Sequence, residues 1–509
     1  MTRPTLLALL LFAGAVAALY SYRLSDAPVY LTPDEVVIGL DAHALASTGR
    51  DLRGRLLPLY FQIDEFRVKG TIWYQPAIMY LTAAVLQVAP LTAWAIRTPA
   101  VIVGVVNVVL MFLLARRMLR STAAGWVAAI LLALSPAHFM HSRFAMDYIY
   151  PVPFVLGWLY ALSIYLDRRQ PRVLAIAGLC LGLGFFSYIT AIVLMPAYLL
   201  ATILVLRREG AARDWRYLAA GFAAPVSLFV LWIAFHIGVF AETFARYELG
   251  SENRIGLLDR FGLYWRYFSP SFLFFNGGSQ LVFSTRVAGV LLLASLVLLP
   301  AGIVTVLRRA SSMGVLILIG LVLAPLPAIV LDEGSAINRA LGLVPFGVLL
   351  SAIGFSALTT VRRSYRTLAA ALVVAASAWQ FAIFQHDYFG DYRRRAASWF
   401  QFNIQGGLAA IVEHTAGGQR PVYLNDTIRW VDSYWKFELA ASDRLDLLPL
   451  THGYTHLDRT VPPGSLLLVN VTDPAMAAET TAALDSRDFH LVRQITEPDG
   501  TVSFVVLER

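Results

Sequence analysis

Four short stretches hold the residues best suited to chemistry. The first is Thr32-Pro33-Asp34-Glu35, where a proline sets two adjacent acids at the predicted start of a helix. Backbone N–H groups at such a start favour anions. The pair therefore suits a plain helix cap or a carboxylate general base. The second, Ser142-Arg143-Phe144-Ala145-Met146-Asp147, sets a cation and an acid four positions apart. On a helix that spacing puts both on one side, suiting a surface ion pair as well as the handling of a phosphate and a hydroxyl. The third is Tyr74-Gln75-Pro76 with Tyr80 beyond it, either interface anchors or ligand contacts. The fourth is Asn338-Arg339-Ala340-Leu341-Gly342, whose arginine either extends to the membrane interface or neutralises a phosphate. His138 and His141 lack metal-ligand spacing, and the one cysteine, Cys180, excludes an intramolecular disulfide.

What must position these residues is a membrane frame. Of the 509 residues, 58% are hydrophobic and 15% charged, against about 25% charged in a soluble domain, and the apolar residues come in long blocks. A soluble enzyme and a disordered chain are both excluded. The net charge of +8 does not point to nucleic acid, because the arginines cluster at the ends of apolar runs, as the positive-inside rule requires.

Apolar runs lie at 6–20, 76–93, 97–114, 122–137, 148–166, 173–188, 189–206, 217–239, 287–305, 313–331, 341–359 and 368–384. Between them lie Arg116/Arg117/Arg120, Arg168/Arg169/Arg172, Arg207/Arg208 with Arg213 and Arg216, Arg308/Arg309, and Arg362/Arg363/Arg366. All these clusters face the cytoplasm if run 76–93 lies in the outer interface instead of crossing. The expected fold is a polytopic α-helical membrane protein of about eleven transmembrane helices, which at about 20 residues each use under half the chain. The N-terminus is expected inside and the C-terminus outside. Ala15-Val16-Ala17 has the small residues of a cleavage site, but the many later spans favour a retained anchor. His138–Asp147, 240–286 and Asp332–Arg339 then share the outer face with a long first loop, 21–96. Chemistry is expected where they converge.

From His386 the composition becomes mixed. Strands are expected at Pro421–Leu424, Ser465–Val471, His490–Ile495 and Val502–Leu507, and helices at Ala396–His414 and Ala475–Asp485. The alternation predicts a small α/β domain over 386–509, following a membrane domain over 1–385. With no Gly-rich phosphate loop, it reads as an outer-face recognition or packing module, separable from the chemistry.

An ordered set of stretches carries a family resemblance: Leu31-Thr-Pro-Asp-Glu35, Thr48-Gly-Arg-Asp-Leu-Arg-Gly54 with Leu57-Pro58, Tyr74-Gln-Pro-Ala77, Ala95-Ile-Arg-Thr-Pro99, Leu134-Ser-Pro136, Ser142-Arg-Phe-Ala-Met-Asp147, Phe268-Ser-Pro-Ser-Phe-Leu-Phe274 and Asn338-Arg-Ala-Leu-Gly-Leu-Val-Pro345. The chain resembles bacterial membrane glycosyltransferases related to protein O-mannosyltransferases and lipid A aminoarabinose transferases, in the multispan GT-C class. The resemblance implies transfer of a hexosyl or pentosyl group from a polyprenyl-phosphate donor to an acceptor lipid, glycan or protein. The reaction is expected at the outer face of the bacterial plasma membrane. It implies Asp34 as the base, with Glu35 and Asp147 as the other catalytic acids. Arg143 and Arg339 match basic positions near the carrier phosphate, and Tyr74 and Gln75 fall in a substrate-binding stretch. Many relatives carry a charged residue and two prolines where this chain has Tyr74-Gln75-Pro76-Ala77. No cofactor is assigned, and a divalent metal stays open.

Two other classes compete. A transporter or flippase needs broken helices and ionisable groups at mid-membrane, whereas these motifs sit at one face. An envelope polysaccharide polymerase or ligase shares the lipid donor and would move a preassembled glycan.

Overall fold

The structure is a computed structural model that describes residues 2–63, 71–249, 254–358, 363–415, 418–458 and 460–509. The cluster Arg362/Arg363/Arg366 lies outside the residues whose side chains are described. The chain folds as two compact units. One comprises Met1–Tyr22, Pro58–Leu81 and Thr98–Asp387, the other Arg23–Leu57, Thr82–Arg97 and Tyr388–Arg509.

The first unit is helical and apolar. Among the described residues, seven helical segments are long and apolar enough to cross a membrane: Arg3–Ser21, Ala93–Leu119, Asp147–Arg168, Ala191–Arg208, Ala212–Ala234, Ser312–Val330 and Thr367–Phe389. Thr122–Leu134, Pro171–Gly184 and Leu343–Leu358 are shorter apolar helices, and Ser295–Arg309 falls in the remaining run. Every run expected to span is thus a helix, though the stretch from 287 is irregular until Ser295. Run 76–93 becomes an eleven-residue helix, Pro76–Leu86, about 16 Å long and too short to cross. Prolines open the helices at Pro136, Pro151 and Pro171, where a missing N–H costs nothing.

Glycines set the closest helix packing. A Cβ at Gly178 or Gly221 would collide with backbone of the facing helix, at Leu218 and Ala175 respectively. This locks Pro171–Gly184 against Trp215–Ala234. Gly302 and Gly354 do the same against Leu350 and Leu298, joining Ser295–Arg309 to Leu343–Leu358. Without a strong hydrophobic drive between helices in lipid, such backbone approach is the main source of attraction.

The second unit is built on a five-stranded sheet of β3 (Val422–Asn425), β4 (Thr451–Tyr454), β5 (Leu466–Asn470), β6 (His490–Thr496) and β7 (Val502–Glu508), in the order β4-β3-β5-β7-β6. A separate hairpin in the first unit supplies β1 (Phe61–Ile63) and β2 (Ile72–Tyr74). β3 runs parallel to β4 and β5, while β7 is antiparallel to β5 and β6. One sheet face buries Leu467, Val469, Val505 and Leu507 with Met476 of helix Pro474–Asp485. The small α/β domain is therefore present, with β4 and helix Val431–Ala441 added to the expected elements.

The domain boundary differs from the expected one at 386. Residues 23–57 and 82–97 of the first loop belong to the same compact unit as the C-terminal sheet. Helix Pro33–Thr48 is the reason. Val36, Val37, Ile38, Leu40, Ala42 and Leu45 are all buried, an apolar surface on several sides that needs cover on several sides. Helix Val431–Ala441 covers one of them. Gly39 lies under Phe437, so close that an added Cβ would sit 2.8 Å from the ring. The C-terminal sheet thus shares one compact unit with the loop that carries Asp34.

Candidate active site

In the second unit, Thr32 caps the Pro33–Thr48 helix in a capping box. Glu35 N–H donates to Thr32 Oγ1 at 3.3 Å, and Thr32 N–H donates to Glu35 Oε2 at 3.1 Å. The cap reading of the motif is thus literally present, and it uses Glu35. That carboxylate is fully buried and also holds Arg97, whose Nε and Nη2 donate to its two oxygens at 2.8 and 3.1 Å. Arg97, equally buried, donates further to the carbonyls of Leu24, Pro28 and Tyr30 at 2.9, 3.1 and 2.8 Å. One guanidinium therefore gathers the incoming loop onto the helix start. Both oxygens of Glu35, expected as a catalytic acid, are engaged in this clamp, the geometry of a positioning residue.

Asp34 is the half-buried member of the pair, in the first turn of the helix, where the N-terminal dipole stabilises its anion. The segment before it is fastened from the C-terminal elements. Tyr434 Oη donates to Leu31 O at 2.7 Å, Leu31 N–H donates to Gln405 Oε1 at 3.3 Å, and Tyr30 Oη donates to Glu497 Oε2 at 2.7 Å. Burial raises the Tyr434 hydroxyl well above its ordinary pKa, and the charges of Glu35 and Asp34 add to it, so it stays a neutral donor. The Thr48–Gly54 stretch winds on two acids. Asp41 accepts from Leu52 N–H at 3.0 Å, and Asp51 accepts from Arg53 N–H and Arg55 N–H at 3.1 and 2.8 Å.

In the first unit, a cavity of about 250 Å³ gathers Tyr60, Trp73 and Gln75 with residues of the segments 189–193, 229–249 and 327–339. Its walls are aromatic: Tyr60 packs 4.5 Å from Trp232, and Trp73 lies 5.3 Å from Trp232. Trp73 Nε1–H donates to Glu242 at 2.8 Å. Val239–Arg246 supplies Phe240 and Phe244 to the wall.

The polar lining of this cavity includes Gln75, Tyr247 and Arg339. Arg339 Nε–H donates to Glu333 at 2.8 Å, and the guanidinium lies 5.5 Å from the Tyr247 ring. Burial raises the Tyr247 hydroxyl, while its hydrogen bond to Arg339 pulls it down. Two salt bridges hold the loop before Arg339, with Arg254 and Arg260 reaching Asp332 at 2.8 and 2.7 Å. Gln75 is only 1% exposed, yet its Oε1 has no partner among the described residues, and neither do Asn338 Oδ1 and Tyr188 Oη. Asn338 and Tyr188 border Arg339 in a small adjoining cavity. Buried polar atoms left unpaired ask for a ligand or water.

The structure thus brings Gln75 and Arg339 together, and Tyr74 does not line this cavity. Asp147 is buried and close enough to Tyr247 and Tyr188 to act on both electrostatically. The helical spacing expected for Arg143 and Asp147 does not hold. The helix ends at His141, the chain turns through 142–146, and Asp147 opens a separate short turn. Arg143 is fully buried, donates to Tyr20 O and lies 5.1 Å from the Phe139 ring, so it braces the fold and does not line this cavity. His138 has both ring nitrogens engaged, with Tyr20 Oη at 2.9 Å and Asn107 Nδ2 at 3.4 Å. Among the described residues no group of three His, Cys, Asp or Glu side chains is placed to hold a metal.

Sequence reasoning gave no role to Arg97, Tyr188, Tyr247 or Asn338. Arg97 and Asn338 stand inside stretches already singled out, and an arginine at the head of an apolar run was the available signal. Nothing in the local sequence marks the two tyrosines.

Comparison with known proteins adds three findings. Residues 75–233 match the family model described as dolichyl-phosphate-mannose-protein mannosyltransferase. The structure is similar to that of ArnT from Cupriavidus metallidurans bound to undecaprenyl phosphate, with a TM-score of 0.57 at 13% identity, covering 99% of this chain and 98% of that one. It is also similar to the Archaeoglobus fulgidus oligosaccharyltransferase in complex with zinc and sulfate, with a TM-score of 0.52 at 12% identity, covering 97% of this chain and 72% of that one. No curated protein sequence matches the chain. The fold is that of the GT-C membrane glycosyltransferases, as the resemblance implied.

Proposed function

We propose that this multi-pass protein of GT-C fold is a glycosyltransferase that moves a hexose or pentose from a polyprenyl-phosphate donor to an acceptor hydroxyl on a lipid, glycan or protein. The reading places the reaction at the outer face of the bacterial plasma membrane. The observation that carries it is the aromatic cavity with Arg339, Gln75 and Tyr247 in its wall. A polyprenyl chain cannot leave the bilayer, so its phosphate-linked sugar must be met at the interface by an apolar wall and a cation together. The ArnT structure with undecaprenyl phosphate, alike in fold over nearly the whole chain, supports the same class of donor.

In this reaction the acceptor oxygen bonds to the anomeric carbon as the bond from that carbon to the phosphate oxygen breaks. The hydroxyl proton passes to a carboxylate, for which the family resemblance implies Asp34, and the polyprenyl phosphate departs with the bonding pair. Arg339 would neutralise the charge growing on that phosphate, since fixed cations act most strongly where charge develops. The unpaired amide oxygens of Gln75 and Asn338 are suited to accept from sugar hydroxyls, and the Tyr188 hydroxyl to donate to a sugar or phosphate oxygen.

The test is a transfer assay in membranes with polyprenyl-phosphate sugars and mass analysis of acceptors. Addition of one sugar per acceptor is the expected result. Addition of a whole glycan would instead identify a polymerase or ligase, and no transfer with any donor would overturn the reading.

A further inference from the structure

A second cavity, of about 380 Å³, lies among the helix ends that carry the arginine clusters. It is walled by the ends of Ala93–Leu119, Pro151–Arg168 and Ser295–Arg309 and the start of Ser312–Leu323. None of the residues discussed above as catalytic or donor-binding lines it. Its two acids are already neutralised. Arg117 donates to Asp167 at 2.7 Å and to Ser163 Oγ at 2.8 Å, and Glu209 is held by Arg169 at 2.8 Å and by the Ser312 hydroxyl. Arg120 and Arg309 line the same cavity, and neither guanidinium has a carboxylate or hydrogen-bonding partner among the described residues. Arg120 also adopts a left-handed backbone, φ 50°, where glycine would be unstrained.

Two uncommitted guanidiniums at one polar cavity form a site for a phosphate-bearing anion. The surroundings favour a lipid over a soluble phosphate. On helix Ser295–Arg309, whose last residue is Arg309, Val297, Val304 and Leu307 are 65%, 45% and 64% exposed. They form an apolar face along which an acyl chain can lie. We propose that this cavity binds the headgroup of an anionic phospholipid of the leaflet next to the arginine-rich face, with Arg120 and Arg309 on the phosphodiester. Basic pockets between membrane helices recognise headgroups in this way.

The test uses the full-length chain in phosphatidylcholine nanodiscs doped with phosphatidylglycerol, with the lipids retained after mild detergent extraction counted by mass. Each arginine near a lipid phosphate is worth about fivefold in affinity. Retained phosphatidylglycerol should therefore fall about fivefold in Arg309→Gln and about 25-fold in the Arg120→Gln/Arg309→Gln double variant. Arg308→Gln removes the same charge one residue away but outside the cavity, and should leave retention within about twofold of the parent. Equal loss in Arg308→Gln would reduce the effect to general surface charge and overturn the site. Equal retention of phosphatidylcholine would also overturn it. Displacement of the lipid by millimolar glycerol 3-phosphate would overturn the lipid assignment in favour of a soluble phosphate ester.

Discussion

Arg97 Nε lies 2.8 Å from Glu35 Oε1, and neither side chain has any exposed surface. The pair joins positions 62 residues apart and fixes the residue next to Asp34. Removing one partner of a buried pair typically costs about 3–5 kcal/mol, because the other charge is left unsatisfied. Glu35→Ala and Arg97→Ala should each lower the yield of folded protein and its melting temperature sharply. Loss of activity in Glu35→Ala with unchanged thermal stability would instead restore Glu35 as a catalytic acid.

Asp34 should behave in the opposite way. Asp34→Asn keeps the size and much of the hydrogen bonding but removes the proton acceptor. Transfer by the folded protein should fall roughly 10²–10⁴-fold while polyprenyl-phosphate binding survives. Asp26→Asn serves as the control from the same loop, since Asp26 makes only an exposed contact with Arg23 at 3.1 Å. Normal specific activity in purified Asp34→Asn would end the assignment of the base.

The two arginines expected near the carrier phosphate should separate cleanly. Arg339→Gln removes a cation from the cavity wall. At about 1.5–3 kcal/mol for a charge-assisted hydrogen bond, donor affinity should weaken roughly ten- to hundredfold in a lipid-phosphate binding assay. Arg143→Gln leaves that cavity untouched and removes a buried brace from Tyr20. It should lower stability and leave the donor affinity of the surviving folded protein near that of the parent.

Stability should depend on pH through two acids of the second unit, buried Asp41 and half-buried Glu438. Burial pushes Glu438 up to about 7 and Asp41 up to about 6, the latter partly offset by the Leu52 N–H. Between the ordinary carboxylate range and these values, the folded state holds protons that the unfolded state has lost. Their contribution is therefore full below about pH 4 and disappears as pH climbs through 6 and then 7. Glu438 alone amounts to at most about 3 kcal/mol. Melting temperature measured at pH 5, 6 and 7.5 should fall along the series, and Glu438→Gln should flatten it. A series that rises with pH in the parent, or one unchanged by Glu438→Gln, would contradict this account.

The frame was legible because lipid imposes a simple rule on sequence. Apolar runs became helices, and Arg116, Arg117, Arg168, Arg207, Arg208, Arg308 and Arg309 close the last turns of theirs. Strands β5 and β7 fell close to their expected places, since short continuous apolar runs mark strands covered on both faces. β4 was missed because Thr-His-Gly-Tyr at an edge carries no such pattern. Residue types flagged Gln75 and Arg339, which line one cavity, whereas the helical pairing of Arg143 with Asp147 was misjudged. The spacing presumed a continuous helix, and the turn at 142–146 breaks it. Arg97 escaped notice for a different reason. Its partner is set by tertiary structure, and no local spacing announces a contact across 62 residues.

The hydrogen bonds that link Gln405, Tyr434 and Glu497 with the Tyr30–Leu31 segment join positions 374, 403 and 467 residues apart. During synthesis the ribosome delivers the acid-bearing loop early and its anchors last. The helices can enter the bilayer as they emerge, but the loop cannot seat until the segment from Gln405 to Glu497 has been made and brought to it. A nascent chain that stops short of these anchors would therefore be inserted with its acid-bearing loop unseated.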